Sequence, residues 1–226
     1  MIFTFWEGPM PEYVKMCMET WKFDFTVLTF DTIDKYTELD VRRLREGFTL
    51  PQISDAVRAH VLRDNGGYWL DADTIMLGTE LPKENIIGDP ITRIHSTGVS
   101  HWTEEAAQFF IDWSKYQDKV IVDSNHSNKW SVLVNMFTDE YVAKHKEVTI
   151  YPIEKCRPEL ALTRVDGSKK QYERFYFECL YHLSDIHDAD LLVLHNSWTP
   201  DYYKALTRKQ ILADRLTISN ILREVI

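Results

Sequence analysis

The sequence has few cysteines, and their spacing is wrong for a disulfide framework or a structural metal. Cys17, Cys156 and Cys179 are odd in number and widely separated, and no C-x-x-C pair occurs. The pattern therefore indicates neither a zinc site nor a disulfide scaffold. Because reduced thiols are typical of the cytosol, we expect a cytoplasmic protein.

Long apolar runs and an excess of positive charge are missing as well. Met1 leads directly into a predicted strand, Ile2–Trp6, without the basic start and apolar stretch of a signal peptide, and no run is long enough for a transmembrane helix. The formal net charge of −9 at pH 7 argues against a general affinity for nucleic acid. No internal repeat or low-complexity segment is present.

What the chain contains is typical of a globular α/β protein. Its 226 residues, 44% hydrophobic and 27% charged, are enough for one sizeable core. The predicted strands are Ile2–Trp6, Phe25–Phe30, Tyr68–Leu70, Ile91–His95, Val148–Tyr151 and Leu191–His195. The predicted helices are Tyr13–Trp21, a segment from Ser54 to Asn65, Glu104–Tyr116 and Lys129–Lys144. This alternation predicts a single α/β domain, residues 1–226, with a mainly parallel central sheet flanked by helices.

The most informative segment, Ser54–Leu77, reads as a helix, a glycine stop and a strand that ends on Asp71 and Asp73. On a straight strand these alternate residues point to the same face, where two carboxylates repel each other. A divalent cation relieves that repulsion, and oxygen ligands suit Mg²⁺ or Mn²⁺, which commonly bind one or two carboxylates together with substrate phosphates. The pattern therefore predicts an enzyme that handles a diphosphate through a metal.

The segment resembles the D-x-D sugar-transferase region of glycosyltransferase family 32 and of capsular polysaccharide synthesis proteins, and more distantly the glucosyltransferase domain of large clostridial toxins. The shared residues form the pattern S-D-x-x-R, then G-G-x-Y/W-L-D-x-D. The matching positions are Ser54, Asp55, Arg58, Gly66, Gly67, Asp71 and Asp73. Weaker similarities are F-T-F-W-E-G at residues 3–8 and H-N-S-W at residues 195–198.

The resemblance implies a GT-A (Rossmann-like) fold and a metal-dependent glycosyltransferase. Such an enzyme moves a sugar from a nucleotide-diphosphate sugar, with UDP the favoured nucleotide, to a saccharide or glycan acceptor. It implies a metal, Mn²⁺ or Mg²⁺, on Asp71, Asp73 and His195. The residues expected to bind the donor are Phe5, Trp6, Asp31, Ser54, Asp55, Arg58, Ala72, Ser197 and Trp198. Among them Trp6 would stack on the base, and the Ser197 hydroxyl and Trp198 indole would donate to the β-phosphate.

The catalytic residues expected are Asp71, Asp73 and Asp123. The two residues of the D-x-D pair act through the metal, whereas an inverting reaction also needs a base, usually a carboxylate. Asp123 is the first choice among several aspartates for that base, although family 32 relatives are thought to retain configuration. Four of the candidates follow predicted strands, so we expect them at the carboxyl edge of one sheet. They are Trp6, Asp31, Asp71 and His195.

Other interpretations stay open at this point. The acidic pair would also suit a metal-dependent phosphohydrolase or nucleotidyltransferase, and a non-catalytic sugar-nucleotide-binding module is a third hypothesis. The phosphohydrolase or nucleotidyltransferase would need neither a base-stacking Trp6 nor the S-D-x-x-R pattern. Taken singly, Trp6 could be a core residue, and Asp55 with Arg58 a solvated pair on a helix. The C-terminal segment, about residues 203–226, is predicted to be one helix that packs on the domain; binding to an anionic membrane is the less favoured alternative.

Overall fold

The computed structural model describes residues 1–89, 94–122, 133–158, 168–186 and 188–226. Two compact units interleave along the chain. The first unit comprises Met1–Gly8, Asp24–Asp71 and Pro82–Pro152. The second unit comprises Pro9–Phe23, Ala72–Leu81 and Ile153–Ile226. The extent of the predicted single domain stays a prediction.

Strands and helices alternate over most of the described ranges. The strands are β1 Ile2–Phe5, β2 Phe25–Leu28, β3 Tyr68–Leu70, β4 Thr74–Met76, β5 Ile86–Asp89, β6 Ile94–His101, β7 Ile150–Pro152 and β8 Leu191–Val193. The α-helices are α1 Glu12–Glu19, α2 Val41–Leu44, α3 Leu50–Asn65, α4 Ala107–Val122, α5 Asn135–Lys144, α6 Lys169–Phe177, α7 Asp201–Lys204, α8 Arg208–Ala213 and α9 Thr217–Val225. Short 3-10 turns occur at Ile33–Lys35, Ile153–Lys155 and Leu183–Ile186.

A six-stranded sheet with the order β2-β1-β3-β6-β5-β7 forms the centre of the first unit. The pairs β1/β2, β1/β3 and β5/β7 are parallel, whereas β6 is antiparallel to both β3 and β5. Helices flank this sheet, and the predicted α/β class with a mainly parallel sheet is confirmed. The strand predicted at Ile91–His95 lies partly outside the described residues, and β6 starts at Ile94.

Helix α3 leads into β3 and sets the register of the central strands. A capping box between Thr49 and Gln52 starts the helix, and Gly66, with φ of 65°, ends it. Gly67 also has a positive φ, of 84°, and a Cβ there would collide with the carbonyl oxygen of Met1. Only glycine therefore lets β3 begin directly beside β1.

The apolar face of α3 is buried in the core of the first unit, as the sequence pattern predicted. Ile53, Val57 and Val61 on this helix are at most 1% exposed. The fully buried Trp69 of β3 belongs to the same core cluster. At about 25 cal/mol per Å² of apolar surface removed from water, side chains of this size each contribute about 1.5–3 kcal/mol.

In the second unit, β4 and β8 form an antiparallel pair, with Thr74 opposite Val193. Helix α1 packs on β4 and buries Tyr13 and Cys17 completely. Cys17 is therefore a core residue of this unit.

The single C-terminal helix predicted for residues 203–226 is wrong, because the segment forms α7, α8 and α9. Thr207 and Gln210 make a new capping box at the start of α8. Asp214 ends α8 in an extended conformation, and its Oδ1 accepts the N–H of Arg215 at 2.6 Å and that of Leu216 at 3.3 Å. Local polar bonds thus interrupt the helix despite its apolar spacing.

Several apolar side chains of this C-terminal segment are nevertheless buried, whereas Ile226 is 47% exposed. Ile211, Ile218, Ile221 and Leu222 are all 0% exposed, and α9 packs on α6 and α8. Within the described parts of the chain, no helix combines the length and apolar character that a membrane crossing needs.

Candidate functional site

The D-x-D residues do not share a straight strand, and that part of the sequence prediction is wrong. Strand β3 ends at Leu70, Asp71 follows it, and Ala72 and Asp73 form a turn that leads into β4. The chain leaves the six-stranded sheet here because β4 pairs with β8 instead. Asp71 is the last residue of its segment of the first unit, and Asp73 belongs to the second. Each carboxylate therefore has its own surroundings.

Asp71 is held by a buried guanidinium and a buried indole. Its Oδ1 accepts hydrogen bonds from Arg58 Nη2 at 2.6 Å and from Trp69 Nε1 at 2.8 Å. Arg58 also donates to the hydroxyl of Thr97 on β6, and its Nη1 lies 3.4 Å from Oδ1 of Asp55. The Arg58 side chain is 5% exposed, so the solvated surface pair considered from the sequence is wrong. These five residues form the Arg58 cluster.

Asp55 is the residue of the Arg58 cluster whose ionisation is most perturbed. Its side chain is 17% exposed. Burial raises its pKa from 3.8 to about 7, the charge of Arg58 opposes that rise, and the charge of Asp71 adds to it. A carboxyl group that titrates near neutral pH is typical of functional sites, because catalytic and binding groups need pKa values that suit their task.

We expect Asp55→Asn to stabilise the protein in a pH-dependent way. Since the folded pKa lies above the unfolded value, ionisation of Asp55 destabilises the native state progressively as the pH rises from 3.8 to about 7. The free energy of unfolding of the variant should exceed that of the wild type by up to about 4 kcal/mol at pH 8, at about 1.4 kcal/mol per pKa unit. Urea unfolding between pH 4 and pH 8 measures the difference.

The matched control is Asp112→Asn, because the Asp112 carboxylate accepts a hydrogen bond from Gln108 on the exposed face of α4. The control shows what the loss of a helix carboxylate on its own does to the free energy of unfolding. A gain for Asp55→Asn that does not depend on pH would contradict the raised pKa.

Three predicted site residues follow the parallel strands β2, β1 and β3, and the carboxyl ends of these strands lie at one edge of the sheet. Asp31 follows β2 and is exposed, Trp6 follows β1 and is half-buried, and Asp71 follows β3. Glu7 accepts the N–H of Phe30 at 3.0 Å and so joins the first two loops. The predicted clustering of strand ends is confirmed for these three residues.

Trp6 carries an unsatisfied polar group in the first unit. Its backbone N–H donates to the carbonyl oxygen of Leu28 at 3.0 Å, but its buried Nε1 has no hydrogen-bond partner among the described residues. An orphaned indole N–H is a donor that a bound ligand can satisfy.

Three other residues predicted to contact the donor differ in the solvent exposure of their side chains. Phe5 is 7% exposed and packs edge-on against Phe30, so its side chain belongs to the core. Ser54 is half-buried on α3, about one helical turn before Arg58. Ala72 is 5% exposed in the turn before β4. A contact with the donor at Phe5 or Ala72 would therefore have to come from the backbone.

Asp73 is fixed by the H-N-S-W turn, His195–Trp198, within the second unit. Its Oδ2 accepts the backbone N–H of Asn196 at 2.6 Å, and its carbonyl oxygen accepts the N–H of Leu194 at 3.3 Å. His195 lies between those two donors in the chain. The turn follows β8, which is not part of the six-stranded sheet, so the expected position of His195 at the edge of that sheet is wrong.

His195 is a neutral imidazole at physiological pH. Burial, and then the positive charge of Arg157, lower its pKa from 6.5 to about 3. Its ring centroid lies 4.3 Å from that of Trp198, and its buried Nε2 has no hydrogen-bond partner among the described residues. Ser197 in the same turn is exposed, and Arg157 Cζ lies 5.9 Å from the Trp198 ring centroid. The turn thus presents a neutral nitrogen, a hydroxyl and an indole.

The donor set of the second unit fits a divalent cation of the Mn²⁺ type. A carboxylate on Asp73 and an orphaned, neutral imidazole on His195 are ligands that Mn²⁺ accepts. Among the described residues, no three His, Cys, Asp or Glu side chains are grouped as a metal site. A metal here would therefore complete its coordination with water or with oxygen atoms of a substrate, as Mg²⁺ and Mn²⁺ sites commonly do.

Several residues at these clusters were not found by sequence reasoning. Trp69 and Thr97 hold the Arg58 cluster, and Tyr13 and Tyr172 hold the H-N-S-W turn. No spacing pattern connects Tyr13 with Asn196, which are 183 residues apart. Asp123, the predicted base, lies outside the described residues.

Acidic and aromatic residues after the parallel strands of an α/β sheet lie at the edge where sheets of this class bind their ligands. The sequence matches the family described as capsular polysaccharide synthesis protein over residues 1–212. The chain therefore belongs to the capsular polysaccharide synthesis protein family. That family indicates a glycosyltransferase role in polysaccharide biosynthesis, with a sugar donor and a saccharide acceptor. No curated protein and no solved structure matches the chain.

Proposed function

We propose that this protein is a metal-dependent glycosyltransferase that transfers a sugar from a UDP-linked donor to a hydroxyl of a saccharide acceptor. The observation that carries the proposal is the Arg58 cluster, in which a buried guanidinium binds Asp71 at the carboxyl end of β3. A buried fork of this kind suits sugar hydroxyls and phosphate oxygens. The family match supports the same class of reaction.

Each candidate residue has a definite role in this proposal. Asp73 and His195 would hold Mn²⁺ or Mg²⁺ within the second unit. When bound, the metal supplies Lewis-acid assistance to the departing diphosphate. Ser197 and the indole of Trp198 would donate to the β-phosphate.

Residues of the first unit would contact the sugar of the donor. Asp55 and Arg58 would orient the sugar, so that the acceptor hydroxyl attacks an anomeric carbon with oxocarbenium-like character. The rest of the donor would be contacted by Trp6, Asp31, Ser54 and the backbone at Phe5 and Ala72. Asp123 stays a prediction as the base of an inverting reaction.

A two-stage experiment tests the proposed function. Thermal-shift measurements with UDP, with and without Mn²⁺, should show that stabilisation by UDP depends on Mn²⁺. Incubation with a panel of nucleotide sugars and a saccharide acceptor should then release free nucleotide from one donor. Stabilisation by simple phosphate esters, with hydrolysis of a phosphomonoester, would instead support the phosphohydrolase. Binding of UDP–Mn²⁺ without any turnover would support a sugar-nucleotide-binding module.

We expect Trp6→Ala to weaken nucleotide binding without affecting the binding of free metal. Loss of one base–aromatic stacking contact costs about 1–3 kcal/mol, which corresponds to an increase in Kd of about 5- to 150-fold. Isothermal titration with UDP at saturating Mn²⁺ measures the change, and Trp6→Phe should recover part of it because a ring face remains.

Trp102→Ala is the control for this prediction. Trp102 is also half-buried, but it packs over Gly66 at the opposite end of β3. This variant should bind UDP as the wild type does. Equal affinities for wild type and Trp6→Ala would make Trp6 a core residue and refute the stacking role.

A further inference from the structure

Tyr13 is linked to the Asp73 carboxylate through Asn196. Tyr13 lies on α1 and is 0% exposed, and its hydroxyl donates to Asn196 Oδ1 at 2.6 Å. The backbone N–H of the same Asn196 donates to Asp73 Oδ2 at 2.6 Å. Asn196 therefore connects the two groups. Its side chain accepts a hydrogen bond from the Tyr13 hydroxyl, and its backbone N–H donates to the Asp73 carboxylate.

A second phenol fixes the same turn. Tyr172 on α6 is 0% exposed, and its hydroxyl accepts the backbone N–H of His195 at 3.1 Å. Thr199 Oγ1 lies 3.1 Å from the Tyr172 hydroxyl and 3.5 Å from the Tyr13 hydroxyl, and it donates to the carbonyl oxygen of His195 at 3.1 Å. The turn is thus held from two helices by the hydroxyls of two buried tyrosines.

Burial and the negative charge of Asp73 both raise the pKa of Tyr13, in that order. The phenol therefore keeps its proton and remains a hydrogen-bond donor. A buried donor in a network of this kind rigidifies its acceptor, because breaking the bond leaves a buried polar atom unpaired.

We propose that Tyr13 is a positioning residue that orients the Asp73 carboxylate by holding Asn196. The inference rests on the proposed function, because it assigns Asp73 to the metal. Without the hydroxyl, the side chain of Asn196 loses its donor and the backbone N–H that anchors Asp73 Oδ2 is freer to move. The carboxylate would then bind a cation with a larger entropic cost.

Tyr13→Phe and Tyr203→Phe form a matched pair for the test. Tyr203 is also 0% exposed in the second unit, and its hydroxyl lies 2.9 Å from Ser219 Oγ, so each change removes the hydroxyl of a fully buried tyrosine. Both variants should lose a similar amount of thermal stability. Only Tyr13→Phe should accelerate amide hydrogen exchange at Asn196, by about tenfold.

The second readout is the Kd for Mn²⁺ alone, measured by electron paramagnetic resonance of the unbound ion. Tyr13→Phe should raise this Kd by about tenfold, and Tyr203→Phe should leave it unchanged. Unchanged exchange at Asn196, or an unchanged Kd for Mn²⁺, would overturn the positioning role. If the wild type bound Mn²⁺ but no nucleotide sugar, the proposed function would be refuted. The Kd for Mn²⁺ of wild type and Tyr13→Phe would still test the positioning role of Tyr13. Absence of Mn²⁺ binding in the wild type would overturn both.

Discussion

We expect Asp73→Asn to abolish sugar transfer while the protein stays folded. The substitution removes the charge that we assign to the metal, and it keeps an amide oxygen that can accept the Asn196 N–H now bound at 2.6 Å. The rate should fall at least about a thousandfold, since the charge stabilisation supplied by a metal is worth several kcal/mol and about 1.4 kcal/mol is tenfold. Nucleotide release from the active donor measures this rate.

The stability of Asp73→Asn should remain within about 1 kcal/mol of the wild type, because the hydrogen bond survives. Urea unfolding checks that expectation. Asp201→Asn is the control, since Asp201 lies on the surface of the second unit with a side chain that is 99% exposed. Turnover by Asp73→Asn at the wild-type rate, at saturating Mn²⁺, would rule Asp73 out as the metal-binding carboxylate.

The largest expected effect on stability is that of Arg58→Ala. This change would remove the guanidinium that lies 2.6 Å from Asp71. The negative charges of Asp55 and Asp71 would then repel each other without a cation between them. Removing one partner of a buried ion pair costs about 3–5 kcal/mol, because the remaining charge is uncompensated. We expect a loss of that size in urea unfolding at pH 8, together with loss of sugar transfer.

Arg58→Lys keeps the positive charge at this site but removes the forked shape of the guanidinium. A single ammonium cannot reproduce a fork that reaches both Thr97 and Asp71, so its stability should lie between those of the wild type and Arg58→Ala. Lys144→Ala is the surface control, because Lys144 and Glu140 are 64% and 71% exposed and such pairs contribute at most about 1 kcal/mol. An Arg58→Ala variant as stable as this control would refute the buried cluster.

The local elements of the fold followed from short-range rules. The apolar stripe of α3, its glycine stop and the strand formers of β3 were all predictable, since each depends on neighbours within a few residues. The same rules failed at the C-terminus, where the apolar spacing indicated one helix. There the side chains of Thr207 and Asp214 bond to nearby backbone groups and divide the segment.

By itself, the sequence determined the α/β class, the strand ends that carry Trp6 and Asp71, and the resemblance to capsular polysaccharide synthesis proteins. Only the tertiary structure decided which partners hold each carboxylate. Arg58 and Trp69 bind Asp71, whereas Asn196, 123 residues away, binds Asp73. Hydrogen bonds between distant segments depend on how strands and helices pack, and no local spacing encodes them. The shifted pKa values of Asp55 and His195 could not be predicted from the sequence for the same reason, because burial shifts a pKa only after the chain has folded.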